Sequence, residues 1–301
     1  MNKPAQASGY KQEVTENCER VLVTLLRGLG PWKNSVYLVG GLTPRYLIKA
    51  RPPEVPAHAG TGDVDIVVEL QMLADTEAYH SLEENFKKLG FERGENLKGE
   101  KVSWRWQAKT ESGATIILEL LADDPELGGG KVQPLPTEGN ISALNIPHSS
   151  MVFDHHETKE ISAELLGDNG NATETIRHAD IVSFVCLKAL ALDQRHERKD
   201  AHDLVYCLEH YEGGPEAAAK AFAAAVDGKH GEAVDTALNI LGKRFADDGN
   251  SEGYLKDGPV AVAKFERGDD ADAREARMLR QRDASHIVMR LLQEIDSYPS
   301  E

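Results

Sequence analysis

Apolar and polar positions follow one rhythm up to about residue 150 and another beyond it. In the first part short apolar runs alternate with amphipathic stretches. The run 36–39 (VYLV) predicts a buried strand leading into Gly40-Gly41, after which Thr43 caps a helix with Pro44 at its first position. Pro52 and Pro53 stop that helix, and 51–62 (RPPEVPAHAGTG) reads as a loop. Branched apolar residues over 64–70 predict a second strand, and 82–89 a helical face ended by Gly90. Val102, Trp104 and Trp106 alternate with polar neighbours, and a turn at Glu111-Ser-Gly joins them to 115–121 as an antiparallel hairpin. The two tryptophans share a face, which predicts core packing in preference to base stacking. Residues 123–136, with Gly128-Gly-Gly, read as a loop, followed by strand-like pieces to about 165.

Beyond residue 172 the period is helical, over 179–195, 199–211, 215–226, 231–245 and 271–295, with Gly and Pro between the runs. No repeat of 20 to 50 residues is visible. The expected fold class is therefore α+β: an α/β lobe over 1–165 and an all-helical lobe over 166–301, with a cleft between lobes as the default ligand site.

Composition narrows the functions. A chain of 301 residues buries about 75% of its unfolded surface and needs no disulfide or metal staple. Fifty acidic against 34 basic residues give a charge of −16, which repels phosphate backbones and anionic membranes and argues against a general nucleic-acid coat protein. Cys18, Cys186 and Cys207 lack paired spacing and read as reduced core thiols. The first residues lack the apolar core of a signal peptide, and the longest apolar stretch, 181–192, is interrupted by Lys188. A cytoplasmic protein without membrane contact is the expectation.

The chemistry gathers in two places. A strand feeding Gly40-Gly41 and a helix start with Thr43 exposes backbone N–H groups to phosphate oxygens. Asp63 and Asp65, two apart on a strand, leave one face with Cα atoms about 6.6 Å apart. Such carboxylates suit magnesium and can share two ions that clamp an in-line phosphoryl transfer. In the helical part, Lys188 interrupts an apolar face, as a snorkelling lysine or one that reaches a cleft. Asp200 and Asp203 share a helix face, where they would cap it or pair with Arg195 or Arg198. A third cluster, Asp154-His-His-Glu157 with His148, lacks the spacing of a metal finger or helical site.

Val39-Gly40-Gly41 followed by Asp63-Val-Asp65-Ile66 resembles the signature of the DNA-polymerase-β-like nucleotidyltransferase superfamily. Lys188 with Lys199-Asp200-x-x-Asp203-Leu is similar to the downstream motifs of AbiEii-type nucleotidyltransferases, the toxins of type IV toxin-antitoxin systems. The resemblance touches roughly residues 36 to 210. It implies a nucleotidyltransferase-fold mixed sheet with flanking helices, a nucleoside triphosphate (NTP) substrate with Mg2+, and a third acidic ligand, for which Glu119 is the candidate. By the same resemblance Asp63 and Asp65 bind magnesium, and Gly40, Gly41 and Thr43 hold the β- and γ-phosphates. Lys188 neutralises the triphosphate and Asp203 orients the acceptor or Lys188. Arg45 resembles the arginine after the glycine pair of CCA-adding enzymes, which raises transfer RNA as acceptor. The expected acceptor is RNA, transfer RNA or protein, with an antitoxin as a further partner. The alternatives are transfer to a small aminoglycoside-like molecule and a silent nucleotide-binding scaffold.

Overall fold

The computed structural model describes residues 3–75, 81–96 and 98–298. Its contacts group into two compact units, one of Lys11–Thr43 and Gly60–Ala179, the other of Met1–Tyr10, Pro44–Ala59 and Asp180–Glu301. Each unit is thus discontinuous in sequence. The architecture is a mixed α/β fold with an open sheet, flanking helices and a helical C-terminal region.

The first unit holds the sheet. Helix α1 (Gln12–Leu29) turns Val21, Leu22, Leu25 and Leu29 inward. Strands β1 (Val36–Val39) and β2 (Asp63–Val68) follow, with helices α3 (Leu70–Ala74) and α4 (Leu82–Lys88) after them; α2 (Pro44–Leu47) belongs to the other unit. Next come β3 (Glu92–Glu95), β4 (Lys101–Lys109), β5 (Thr115–Ala122), β6 (Val132–Pro134), β7 (Ser142–Asn145), β8 (His156–Glu164) and β9 (Asn171–Ala179). The order across the sheet is β3-β4-β5-β2-β1-β9-β8, with β7 beside the end of β5 and β6 beside β7. Central β2 runs antiparallel to β1 and parallel to β5. A strand paired on both edges must be apolar on both faces once it leaves the rim, and Ile66, Val67 and Val68 are all buried.

The hairpin of β4 and β5 forms as the alternation predicts, and Trp106 is fully buried with its ring 5.0 Å from that of Phe86. Trp104 instead lies under the guanidinium of Arg105, 4.8 Å from its ring centre. Strand β6 occupies part of the stretch read as a loop, and α1 is an element that the strand-and-turn rhythm of the first half does not announce. The sheet continues to Ala179, past the expected lobe boundary at residue 165.

Helix α4 opens with a capping box, in which Ser81 accepts from the Glu84 backbone and Glu84 returns the bond. Its Glu83 is buried, bonded by Lys87, by the Asn140 N–H and by Arg93. The Lys87 ammonium first, then the Asn140 N–H and Arg93, hold this carboxyl down at about 2 against the opposing effect of burial. Its stabilising contribution is therefore complete above the ordinary value of 4.5 and disappears as pH falls through about 2. A Glu83→Gln variant is expected to flatten the acid limb of stability between those limits. An unaltered limb in denaturant titrations over that range would refute the assignment.

The second unit is helical: α2, α5 (Ile181–Arg195), α6 (Arg198–His210), α7 (Gly214–Val226), α8 (Gly231–Phe245), α9 (Asp257–Arg267) and α10 (Arg274–Ser297). Asp180 caps α5 by accepting from the Ser183 N–H at 2.9 Å. Phe184, Leu204, Phe222, Leu241, Phe245, Phe265, Val288 and Leu291 are buried within this unit. α6 packs on α5 and α9, and α10 on α7, α8 and α9. Helix α2 is one turn long, where the sequence suggested a run to Pro52. Beyond its end Arg51 donates to the carbonyls of Arg45 in α2 and of Ile48 and Ala50 after it, so acceptors that no helix turn uses are satisfied by a side chain. No described helix is long and apolar enough to cross a membrane.

Candidate functional site

The sheet unit gathers the acidic residues of the first motif. At the start of β2, Asp63 and Asp65 are half-buried while Val64 and Ile66 point into the core, so the two carboxylates share the other face. Asp65 pairs with Val39 on one side and with Glu119 of β5 on the other. Register partners in adjacent strands project to the same side of a sheet, which places Glu119 beside Asp65. Asp63 accepts a hydrogen bond from the Thr61 hydroxyl, and Glu119 is bonded by Arg105 of β4, its neighbour on the far side. Two carboxylates and one guanidinium, Asp65, Glu119 and Arg105, thus lie along a row running across β2, β5 and β4, with Asp63 on the same face two residues earlier in β2, in register with Ile117.

Where β1 ends, Gly40 takes φ +72°, and the chain makes a 3-10 turn over Gly40–Leu42 closed by the Thr43 N–H to Gly40 carbonyl bond at 3.2 Å. A Cβ on Gly40 would stand 2.0 Å from Oδ2 of Asp65, so this backbone lies directly against the carboxylate. Glycine is required here twice, by φ and by space. The helix after the glycine pair offers little N-terminus for phosphate, because α2 is a single turn and Pro44 has no N–H. The Thr43 hydroxyl is fully buried with no partner among the described residues, away from the exposed position expected of a phosphate ligand. Gly40→Ala is expected to lose about 1–2 kcal/mol from backbone strain alone and more from displacing Asp65. Equal denaturation midpoints for variant and wild type would contradict the turn geometry.

The second motif forms a buried ion network in the helical unit. Lys188, 7% exposed, donates to Asp200 at 2.9 Å and to Asp203 at 2.7 Å. Arg195 makes two bonds to Asp200, at 2.6 and 2.8 Å, and Lys199 reaches both oxygens of Asp203 at 2.8 and 2.7 Å. Lys188 is therefore not a snorkelling lysine. Burial alone would lower its pKa, but the charges of Asp203 and then Asp200 outweigh burial and keep it above the ordinary lysine value. Burial works to raise Asp203, yet Lys188, Lys199 and His58 hold it well below the usual carboxylate range. Arg198 pairs with Asp269 instead of the network, and Arg45 lies on α2 of this same unit.

His58 belongs to this constellation although the sequence singled out nothing about it. It bonds Asp203 Oδ1 through Nε2 at 2.9 Å, and its ring stacks on His202 at 5.4 Å and leans on Tyr206 at 4.9 Å. Burial pushes its pKa down to about 4 against the opposing pull of Asp203, so the imidazole is neutral at pH 7. Tyr206 anchors the preceding loop by donating to the Pro56 carbonyl at 2.9 Å. His58, His202 and Asp203 form the one grouping of three with metal-ligand proximity among the described residues; neither the expected triad Asp63, Asp65 and Glu119 nor Asp154-His-His-Glu157 makes such a group. His156 from that stretch stacks edge-on against Tyr37. The three cysteines are free and buried, and burial first, then nearby acidic charge, raises each thiol pKa.

The magnesium expected from the first motif fits the donor chemistry of Asp63 and Asp65, which offer hard carboxylate oxygens on one face. Glu119 has the right register but already carries Arg105 as its counter-charge. No protein-family model matches the chain, and no curated protein matches it.

Proposed function

We propose that the protein is a magnesium-dependent nucleotidyltransferase that moves a nucleoside monophosphate from an NTP to an acceptor hydroxyl. The observation that supports this reading is that Asp63 and Asp65 share one face of β2, with Glu119 of β5 in register with Asp65 and the Gly40 backbone packed against Asp65. Asp63 and Asp65 would hold magnesium, which when bound supplies charge neutralisation on the phosphoryl oxygens. The side-chain-free backbone of Gly40 and Gly41, packed against Asp65, would let phosphate oxygens come close to the peptide groups beside the carboxylate. Phosphoryl transfer asks mainly for positioning and electrostatic stabilisation, so this small set of groups suffices.

The charge of Lys188 is already matched by Asp200 and Asp203, which favours a structural role within the helical unit over neutralising a triphosphate. Arg105, drawn to Glu119, is available to a polyanionic substrate once the carboxylate turns to another cation. The same pair favours a second reading, a silent nucleotide-binding scaffold in which the guanidinium permanently replaces a metal.

Transfer of label from each α-labelled NTP, with magnesium, into cellular RNA including transfer RNA, into protein and into an aminoglycoside panel separates these readings. Incorporation by wild type that is lost in Asp65→Ala would support the enzyme and identify its acceptor class. Growth arrest on expression, relieved by a neighbouring gene product, would support a toxin held by an antitoxin. NTP binding without transfer to any acceptor would favour the scaffold, and absence of NTP binding would sink both.

A further inference from the structure

His202 is held in an arrangement that neither the ion network nor nucleotidyl transfer calls for. Its Nδ1 lies 3.0 Å from Glu266 Oε1, and Glu266 is gripped in turn by Arg280, from Nε at 2.7 Å and from Nη2 at 3.0 Å. A carboxylate facing Nδ1 demands the proton on that nitrogen, which leaves Nε2 as a lone pair. The residue is only 5% exposed, and Nε2 has no hydrogen-bond partner among the described residues. A buried lone pair without a donor is a site for a Lewis acid. The carboxylate–histidine pair behind it is the outer shell that metal-binding imidazoles ordinarily carry.

The other donors are close by. His58, His202 and Asp203 each offer one ligand atom, all within 4.8 Å of one another. Asp203 divides its two oxygens: Oδ2 takes the Lys188 bond, while Oδ1 faces His58. Lys199 touches both oxygens and can remain on Oδ2 alone when Oδ1 is engaged. The rings of Tyr206 and Phe265 lie 4.9 Å from His58 and His202 respectively, an apolar collar that lowers the local dielectric.

We propose that His58, His202 and Asp203 form a binding site for one divalent transition-metal ion of the zinc class. Two imidazoles and a carboxylate select such an ion over magnesium, which prefers all-oxygen surroundings. Bonds of 2.0–2.1 Å in tetrahedral geometry set donors about 3.3 Å apart, so the ion would replace the 2.9 Å hydrogen bond between His58 Nε2 and Asp203 Oδ1, the neutral imidazole carrying its proton on Nδ1 instead, with the remaining separation, within 4.8 Å, closing on the ion. Three protein ligands leave a fourth position for water or a small anion. Because His58 lies in the loop that follows α2 and the other two ligands lie on α6, an occupied site ties that loop to the helix. The proposal is independent of the nucleotidyl-transfer reading, and its test measures no transfer.

The full-length chain, stripped with a chelator, is titrated with Co2+ while visible absorption is followed, and Zn2+ is then added as competitor. One saturable equivalent with a tetrahedral-type spectrum, displaced by one equivalent of Zn2+, is expected. His202→Gln and His58→Gln should each weaken binding at least about 10-fold, and Glu266→Gln by about 10-fold through the outer shell. His148→Gln, outside the group, should bind as wild type does. No saturable binding, or binding unchanged in His58→Gln, overturns the site. His58→Gln decides even where His202→Gln proves unstable, since His58 lies in a loop and not in a packed helix.

Discussion

Asp65→Asn is expected to lower nucleotidyl transfer at least about 100-fold, the scale of losing one electrostatic contact to a transition state, while the chain stays folded. The side chain is half-buried at the rim of β2, and asparagine keeps its shape. It removes the charge that a metal and a transferring phosphoryl group require. Val64, Ile66 and Val67, which carry the packing of the strand, are untouched. The informative comparison is transfer rate against denaturation midpoint for the same variant. Near-normal transfer would remove Asp65 from the proposed site, and lost transfer with an equally lost midpoint would show only that the strand had failed.

Lys188→Met should behave in the opposite way, with stability as its main casualty. Methionine fills similar volume but leaves Asp200 and Asp203 as buried carboxylates with fewer counter-charges. Breaking a buried pair from one side costs about 3–5 kcal/mol, which is large against the 5–15 kcal/mol that holds a typical domain. Both aspartates have folded pKa values below the ordinary 3.8. Their contribution is therefore present above that value and is lost as pH falls below it. In the variant they take up protons more readily, so the deficit relative to wild type should shrink toward acid. Adding Asp200→Asn to Lys188→Met should restore part of the loss by removing one stranded charge. Urea titrations at pH 7 and pH 4 test all three statements, and a Lys188→Met midpoint equal to wild type would refute the network's structural weight.

Most of the regular elements were legible because their signals are local. The four apolar residues before Gly40, the alternation through Trp106 and the helical periods after residue 180 each lie within one element, where side-chain direction follows directly from backbone geometry. Local rules misled where a partner outside the window decided the outcome. Helix α2 stops at Leu47, short of the prolines, where Arg51 satisfies the Arg45 carbonyl, and β6 forms in a glycine-rich stretch because β7 offers it an edge. Helices α1 and α9 passed unremarked between stronger signals although both carry buried apolar faces.

The candidate site divides along the same line. Asp63, Asp65 and the glycine pair were evident from their spacing, and Lys188 from the apolar run that it interrupts. The row formed with Glu119 depends on β5 lying parallel to β2, and a strand records its own alternation but not its neighbour. His58 carried no signal at all, since a histidine in a proline-rich loop acquires meaning only when that loop meets α6, 145 residues along the chain. By itself, then, the chain's order of residues determined which segments are strands and helices and where carboxylates recur on one face, because φ/ψ preference and side-chain period act within a few residues. Tertiary structure alone decided that Arg105 answers Glu119, that Lys188 is matched by two aspartates, and that two histidines stack beside Asp203. Those pairings depend on how distant segments are brought into register, which is set by burial summed over a whole unit and is written in no single window.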